Sequence, residues 1–225
     1  MTRLLLIVMM MWTVAVARAQ DDPEYRMEVG VGAGLSGYVG DFNNSLVKNL
    51  QPMFSAVARY NFDPYMGLRL NVSYATMKGT SENAVTYYPD YAGTPYVFDN
   101  KCYTAAVTYE YNFWPYGTGR DYRGAKRITP FVFGGIGGAY VATPDKGRFT
   151  LDVPVGVGVK YRMGERLNLG LEWGFHLTGS DMLDGVKDPS YVPSSGLFKN
   201  TDCYTALQFT VTYSFMEKCT TCNKE

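Results

Sequence analysis

The sequence predicts an all-β fold: an eight-stranded antiparallel transmembrane β-barrel of outer-membrane type, preceded by a cleavable N-terminal signal peptide. Three observations predict it. Segment after segment alternates with period two, the face opposite the apolar one carries charges, and the chain is rich in Tyr (19), Phe (12) and Gly (24). Branched and aromatic side chains suit a pleated sheet. A membrane barrel is written in alternation rather than in the ~20-residue apolar run of a membrane helix, and no such run follows the first 19 residues.

At the start, Arg3 supplies a positive charge, Leu4 to Val16 form an apolar stretch of 13 residues, and Ala17-Arg18-Ala19 has the small-x-small cleavage pattern. Residues 1–19 are therefore read as signal peptide, 20–216 as barrel and 217–225 as a periplasmic C-terminal tail. No cysteine follows the cleavage site, so a lipoprotein anchor is not expected.

Taken in order, the first two strands, Tyr25 to Val39 and Phe54 to Phe62, are the less clear, because Gly or Ala blurs one face. In the third, Leu68, Leu70, Val72 and Tyr74 oppose Arg69, Asn71 and Ser73. The fourth, Tyr103 to Phe113, sets Tyr103, Ala105, Val107, Tyr109 and Tyr111 against Thr104, Ala106, Thr108, Glu110 and Asn112. Ile128 to Val141 is the glycine-blurred fifth. In the sixth, Phe149 to Tyr161, Leu151 and four valines oppose Asp152, Pro154, Gly156, Gly158 and Lys160. Arg166 to Thr178 places Leu167, Leu169, Leu171, Trp173 and Phe175 opposite Asn168, Gly170, Glu172, Gly174 and His176. Cys203 to Phe215 closes the set, with Leu207, Phe209, Val211 and Tyr213 opposite Gln208, Thr210, Thr212 and Ser214.

A soluble sandwich also alternates, but it rarely turns so many charges toward its core. The polar face carries Glu28, Arg59, Asn61, Arg69, Asn71, Glu110, Lys160, Asn168, Glu172 and His176. Closing the sheet lets these pair inside a narrow lumen, gives every apolar face to lipid and leaves no edge unpaired. A lumen network of Glu28, Arg59, Arg69, Glu110, Lys160, Glu172 and His176 is therefore expected. Eight strands leave an interior just wide enough for side chains, so diffusive transport is not expected.

Connection lengths set the orientation, because such barrels have short periplasmic turns, longer external loops and both termini periplasmic. Asn61 to Pro64 and Arg162 to Glu165 read as tight turns; Asp41 to Leu50, Gly79 to Tyr96 and Gly179 to Asp202 read as long loops. Thr143 to Arg148 is a short external exception, and Trp114 to Arg127 a periplasmic connection longer than a minimal turn. Within it, Arg120, Arg123, Lys126 and Arg127 are interleaved with Trp114, Tyr116 and Tyr122. That pattern fits a partner-binding surface or an interfacial belt with solvated charges.

Catalytic, cofactor and metal sites are not expected. Gly30 to Gly34 and Gly134 to Gly138 lack the Gly-Lys-Ser/Thr ending and following helix of a phosphate loop; glycine giving room to large facing side chains is the better account. His176, the only histidine, could act as a base in a lipid-modifying enzyme, but it lies on the lumen face beside Glu172 with no serine placed against it. Cys219 and Cys222 supply two of the four ligands of a zinc site, and an oxidising compartment favours a disulfide between them. Cys102 and Cys203 have opposite predicted facing, which argues against a bridge. With 21 basic and 21 acidic residues, no global field favours nucleic acid.

Several strings together resemble the PorG-like family of type IX secretion outer-membrane barrels. They are Glu28 to Gly34 with Tyr38 to Asp41, Arg59 to Phe62, Lys126 to Gly137, Val153 to Tyr161, Arg166 to Trp173 and Lys218 to Asn223. The resemblance spans nearly the whole mature chain, and departs at Cys203, where the family more often has Trp. It implies a noncatalytic anchor or scaffold that ties a periplasmic complex of the secretion machinery to the outer membrane. The implied partners are membrane lipid and periplasmic secretion-ring proteins or lipoproteins, docking on Trp114 to Arg127 and the Cys219 to Cys222 tail. The alternative reading is a porin-like or adhesin-like surface barrel, with a lipid-modifying enzyme third.

Overall fold

The computed structural model describes residues 25–39, 49–80, 97–117, 125–143, 147–179 and 203–217. They form eight strands, β1 (Tyr25–Val39), β2 (Gln51–Asn61), β3 (Met66–Thr80), β4 (Val97–Asn112), β5 (Ile128–Ala142), β6 (Gly147–Arg162), β7 (Leu167–Thr178) and β8 (Cys203–Glu217). Each pairs antiparallel with its sequence neighbours, and β1 pairs β8 to close the barrel. The register fixes its shape. From Met27 the partners run through Tyr60, Leu68, Tyr109, Gly134, Val155, Phe175 and Thr205 and return to β1 at Gly37, a stagger of ten residues. For eight strands that stagger corresponds to a tilt of roughly 35–45°.

The barrel is apolar outside and polar inside. Val31, Ile136, Leu151, Val157 and Leu171 are each more than half exposed, while Arg69, Glu110, Lys160 and Glu172 are 3% exposed or less. Exposed to water, so continuous an apolar surface would exceed by far what soluble monomers tolerate; covered by lipid it is the favourable face. Aromatic side chains mark both borders. On the loop side Tyr74, Tyr103, Tyr140 and Phe149 stand in register across β3 to β6. On the turn side lie Tyr60, Phe62, Phe113, Trp114, Tyr161 and Tyr213, all exposed. From Tyr103 to Phe113 along one tilted strand is about 25 Å of barrel height, the span expected of a lipid belt.

Beyond the loop-side aromatic row the alternation inverts. Thr76, Lys78, Asp99 and Lys101 now point outward and are at least part-exposed, while Ala75, Met77, Phe98 and Cys102 point inward and are buried. With Tyr38, Met53, Ala139, Val141, Tyr204 and Ala206 they form one apolar cluster inside the barrel. The outside of this section meets water, so the barrel here follows the rule of a soluble protein. It also corrects two expected boundaries: β3 runs on to Thr80 and β4 begins at Val97, pairing with each other past the lipid belt.

Two short connections, 62–65 and 163–166, lie at the same barrel end as the longer 113–127 connection. The connections 40–50, 81–96 and 179–202 leave the other end. The expected signal peptide and the tail from residue 218 fall outside the described residues.

Candidate functional site: a plugged lumen and the turn that caps it

The turn-side half of the lumen is filled by an ion network with Glu110 at its centre. Glu110 takes Arg59 at 2.7 Å, Arg69 at 3.1 Å and Lys160 at 2.5 Å. Arg59 reaches on to Glu28 at 2.5 Å, and Arg69 to Glu172 at 2.5 Å. Three cations thus meet three anions, and the network itself is neutral. Neutral polar groups satisfy remaining positions: Asn61 and Thr212 donate to Glu28, Gln208 donates to Glu172 and accepts from Ser55, and Lys160 donates to Asn112. Buried charges are tolerated on these terms, when paired and also hydrogen-bonded.

Register explains how so many long side chains fit. Phe131 and Phe133 of β5 point into the lumen toward Gly156 and Gly158 of β6, where an added Cβ would collide with their rings. Phe133 also lies against Gly174 of β7. The rings fill the space the glycines leave and hold the cations, with Arg69 4.6 Å from the Phe133 centroid and Lys160 4.5 Å from that of Phe131.

All six Arg, Lys and Glu side chains expected in the lumen meet in this network. His176 sits elsewhere. Its Nδ1 lies 2.9 Å from Asp152 of the neighbouring strand and its ring stacks on Tyr204 at 4.2 Å, so its partner is not Glu172 as its place on β7 suggested. The cavity beside it is about 10 Å3, roughly the space of one water, and a lipid chain has no room there. Cys102 and Cys203 are both thiols, with Cys102 in the apolar cluster.

The described ends of the 113–127 connection, 113–117 and 125–127, fold across the turn-side mouth. Tyr116 pairs with Lys126 as an isolated bridge, its backbone N–H donates to Pro64, and Arg162 donates to the Gly117 carbonyl at 2.6 Å. Here an expectation is corrected: Tyr116 is no surface anchor. It is 7% exposed, and its hydroxyl enters the lumen mouth and donates to Asn168 Oδ1 at 2.8 Å. Burial, with the Glu28 carboxylate adding to it, pushes this phenol well above its ordinary range, so it remains a donor. Trp114, Lys126 and Arg127 stay outside, with the Lys126 ammonium 4.6 Å from the Trp114 centroid. Arg120, Tyr122, Arg123, Cys219 and Cys222 lie outside the described residues.

With ions filling one half of the lumen and apolar side chains the other, planar bilayers holding the purified barrel should show no conductance above background. Discrete channel steps would mean that the lumen opens.

Solved structures with a similar course of the chain include Neisserial surface protein A, with 17% identity, 84% of this chain and 97% of that chain covered, and a TM-score of 0.47. OprG from Pseudomonas aeruginosa gives 9% identity, 87% and 98% coverage and a TM-score of 0.48. Ail of Yersinia pestis, in complex with the heparin analogue sucrose octasulfate, gives 10% identity, 86% and 99% coverage and a TM-score of 0.44. No curated protein matches the chain. A family model matches residues 2–224, and the chain therefore belongs to the family described as Domain of unknown function (DUF6089).

Proposed function

We propose that this barrel is a noncatalytic anchor in the outer membrane, a component of the type IX secretion machinery that ties a periplasmic complex to the membrane. The observation that carries the reading is the 113–127 connection. A minimal turn would close the β4–β5 hairpin, yet the first described part of this one, at Tyr116 and Gly117, is braced by Pro64, Arg162 and Asn168, and Trp114, Lys126 and Arg127 are exposed. A braced surface loses little freedom on binding, which favours a docking role. The sealed lumen supports the same reading, because it leaves transport through the barrel without a path. So does the resemblance to the PorG-like barrels that the strings from Glu28 to Gly34 through Arg166 to Trp173 carry. Both termini and this turn then face the periplasm.

Photocrosslinking in native membranes tests the reading. Probes at Trp114, Lys126 and Arg127 should capture a defined set of periplasmic proteins or lipoproteins, and a probe at lipid-facing Leu171 should not. Capture of nothing but lipid at all four positions would overturn the anchor role.

A further inference from the structure

One step toward the loops from the aromatic row of Tyr74, Tyr103, Tyr140 and Phe149, the register sets a second outward row. It consists of Thr76, Lys101, Ala142 and Gly147, one residue from each of β3 to β6. Two residues along a tilted strand amount to about 5 Å of barrel height. The aromatic row marks the border of the hydrocarbon, so the second row stands among lipid headgroups.

The row is a shallow seat with donors on both sides. Its floor is the Ala142 methyl and Gly147, which has no side chain. On one side stands Lys101, exposed. On the other the Tyr140 hydroxyl leans out of the aromatic row to the place a Cβ on Gly147 would take. Arg148 follows Gly147 and is exposed. Lys101 and Gly147 are two strand spacings apart, about 10 Å between backbones, a gap that a lysine and an arginine can close on one group between them. Among the described residues, none takes up the charge of Lys101 or Arg148 or accepts from the Tyr140 hydroxyl. Asp99 lies one row farther from the membrane and is held by Lys78 at 2.9 Å.

We infer that this seat binds the phosphate of an anionic lipid headgroup, with Lys101 and Arg148 donating charge-assisted hydrogen bonds and the Tyr140 hydroxyl a further one. The lipid's acyl chains then lie against Val107 and Ile136, neighbours across β4 and β5 that are exposed on the lipid face below. A phosphate free in water would meet the same donors. The seat is continuous with the lipid face, however, and the membrane holds its own phosphates at this height, beside basic side chains that attract anionic lipid. The inference holds whichever side of the membrane the loops face, and it does not depend on the anchor reading.

Native mass spectrometry of the purified barrel in a nonionic detergent, titrated with phosphatidic acid or phosphatidylcholine, tests the seat. The wild type should retain one phosphatidic acid in preference to phosphatidylcholine. Lys101→Gln combined with Arg148→Gln should weaken that binding by roughly tenfold or more. Ala142→Phe fills the seat and leaves every charge in place, and it should weaken the binding comparably. Migration on gels before and after boiling checks that each variant has closed. Equal retention of the two lipids, or equal binding of phosphatidic acid by the wild type and the double variant, would overturn the inference. Unchanged binding in Ala142→Phe would reduce it to diffuse attraction without a site and overturn it too. Inorganic phosphate binding as tightly as phosphatidic acid would place the ligand in solution and overturn the assignment to lipid.

Discussion

Replacing Glu110 with Ala should destabilise the barrel by about 3–5 kcal/mol, the range for removing one partner of a buried ion pair and leaving the other charged. Glu110 is fully buried and is the shared partner of Arg59, Arg69 and Lys160. Its loss leaves one cation, Lys160, without an anion. Arg59 keeps Glu28 and Arg69 keeps Glu172, but Lys160 is left with Asn112 and the Phe131 ring. Reversible unfolding by denaturant in lipid or micelles measures the effect. Thr212→Val removes one hydrogen bond to Glu28 and should cost about 1 kcal/mol. If the two variants unfold at the same denaturant concentration, Glu110 is not the hub of the network.

The dependence on one central carboxylate was only partly legible in the sequence. Alternation in β4 set Glu110 on the same face as Thr108 and Asn112, and alternation in β3 and β6 did the same for Arg69 and Lys160. Facing is a local property, and so it can be read from one strand alone. Pairing is not. The ten-residue stagger brings Glu110 to the level of Arg59 and Lys160, and nothing within any single strand encodes that stagger. His176 shows the same limit: four residues from Glu172 on its own strand, it bonds instead to Asp152 across the β6–β7 register.

Two further features escaped for different physical reasons. The apolar filling by Met53, Met77, Phe98 and Tyr38 breaks the rule of a polar lumen, because the rule holds only where lipid covers the outside. Where Lys78, Asp99 and Lys101 meet water, the inside reverts to an apolar core. The alternation that marks the fourth strand from Tyr103 does not extend back over this section, since Asp99, Asn100 and Lys101 are poor strand formers. Tyr116 was misread because an aromatic beside basic residues at a barrel mouth resembles a membrane girdle. Its buried position rests on the bridge to Lys126 and the bond to Asn168, contacts that no sequence spacing announces.

Leu171→Arg should cost about 2–4 kcal/mol in a bilayer, whereas Tyr161→Arg at the turn-side girdle should cost about 0–1 kcal/mol. Leu171 is 53% exposed on the lipid face of β7, between Leu167 and Leu177, so an arginine there must either sit in hydrocarbon or drag its charge toward an interface. Tyr161 lies beside Ile128 at the barrel's edge, where a guanidinium reaches headgroups and water. The depth dependence separates a lipid face from a merely apolar one. Asn168→Arg acts through another cause, since Asn168 accepts from Tyr116 and donates to Ser214 inside the lumen; its loss should not change with bilayer thickness, and that of Leu171→Arg should. Unfolding in bilayers of two thicknesses measures both. Equal costs for Leu171→Arg and Tyr161→Arg, unaffected by thickness, would mean that the apolar exterior faces something other than lipid.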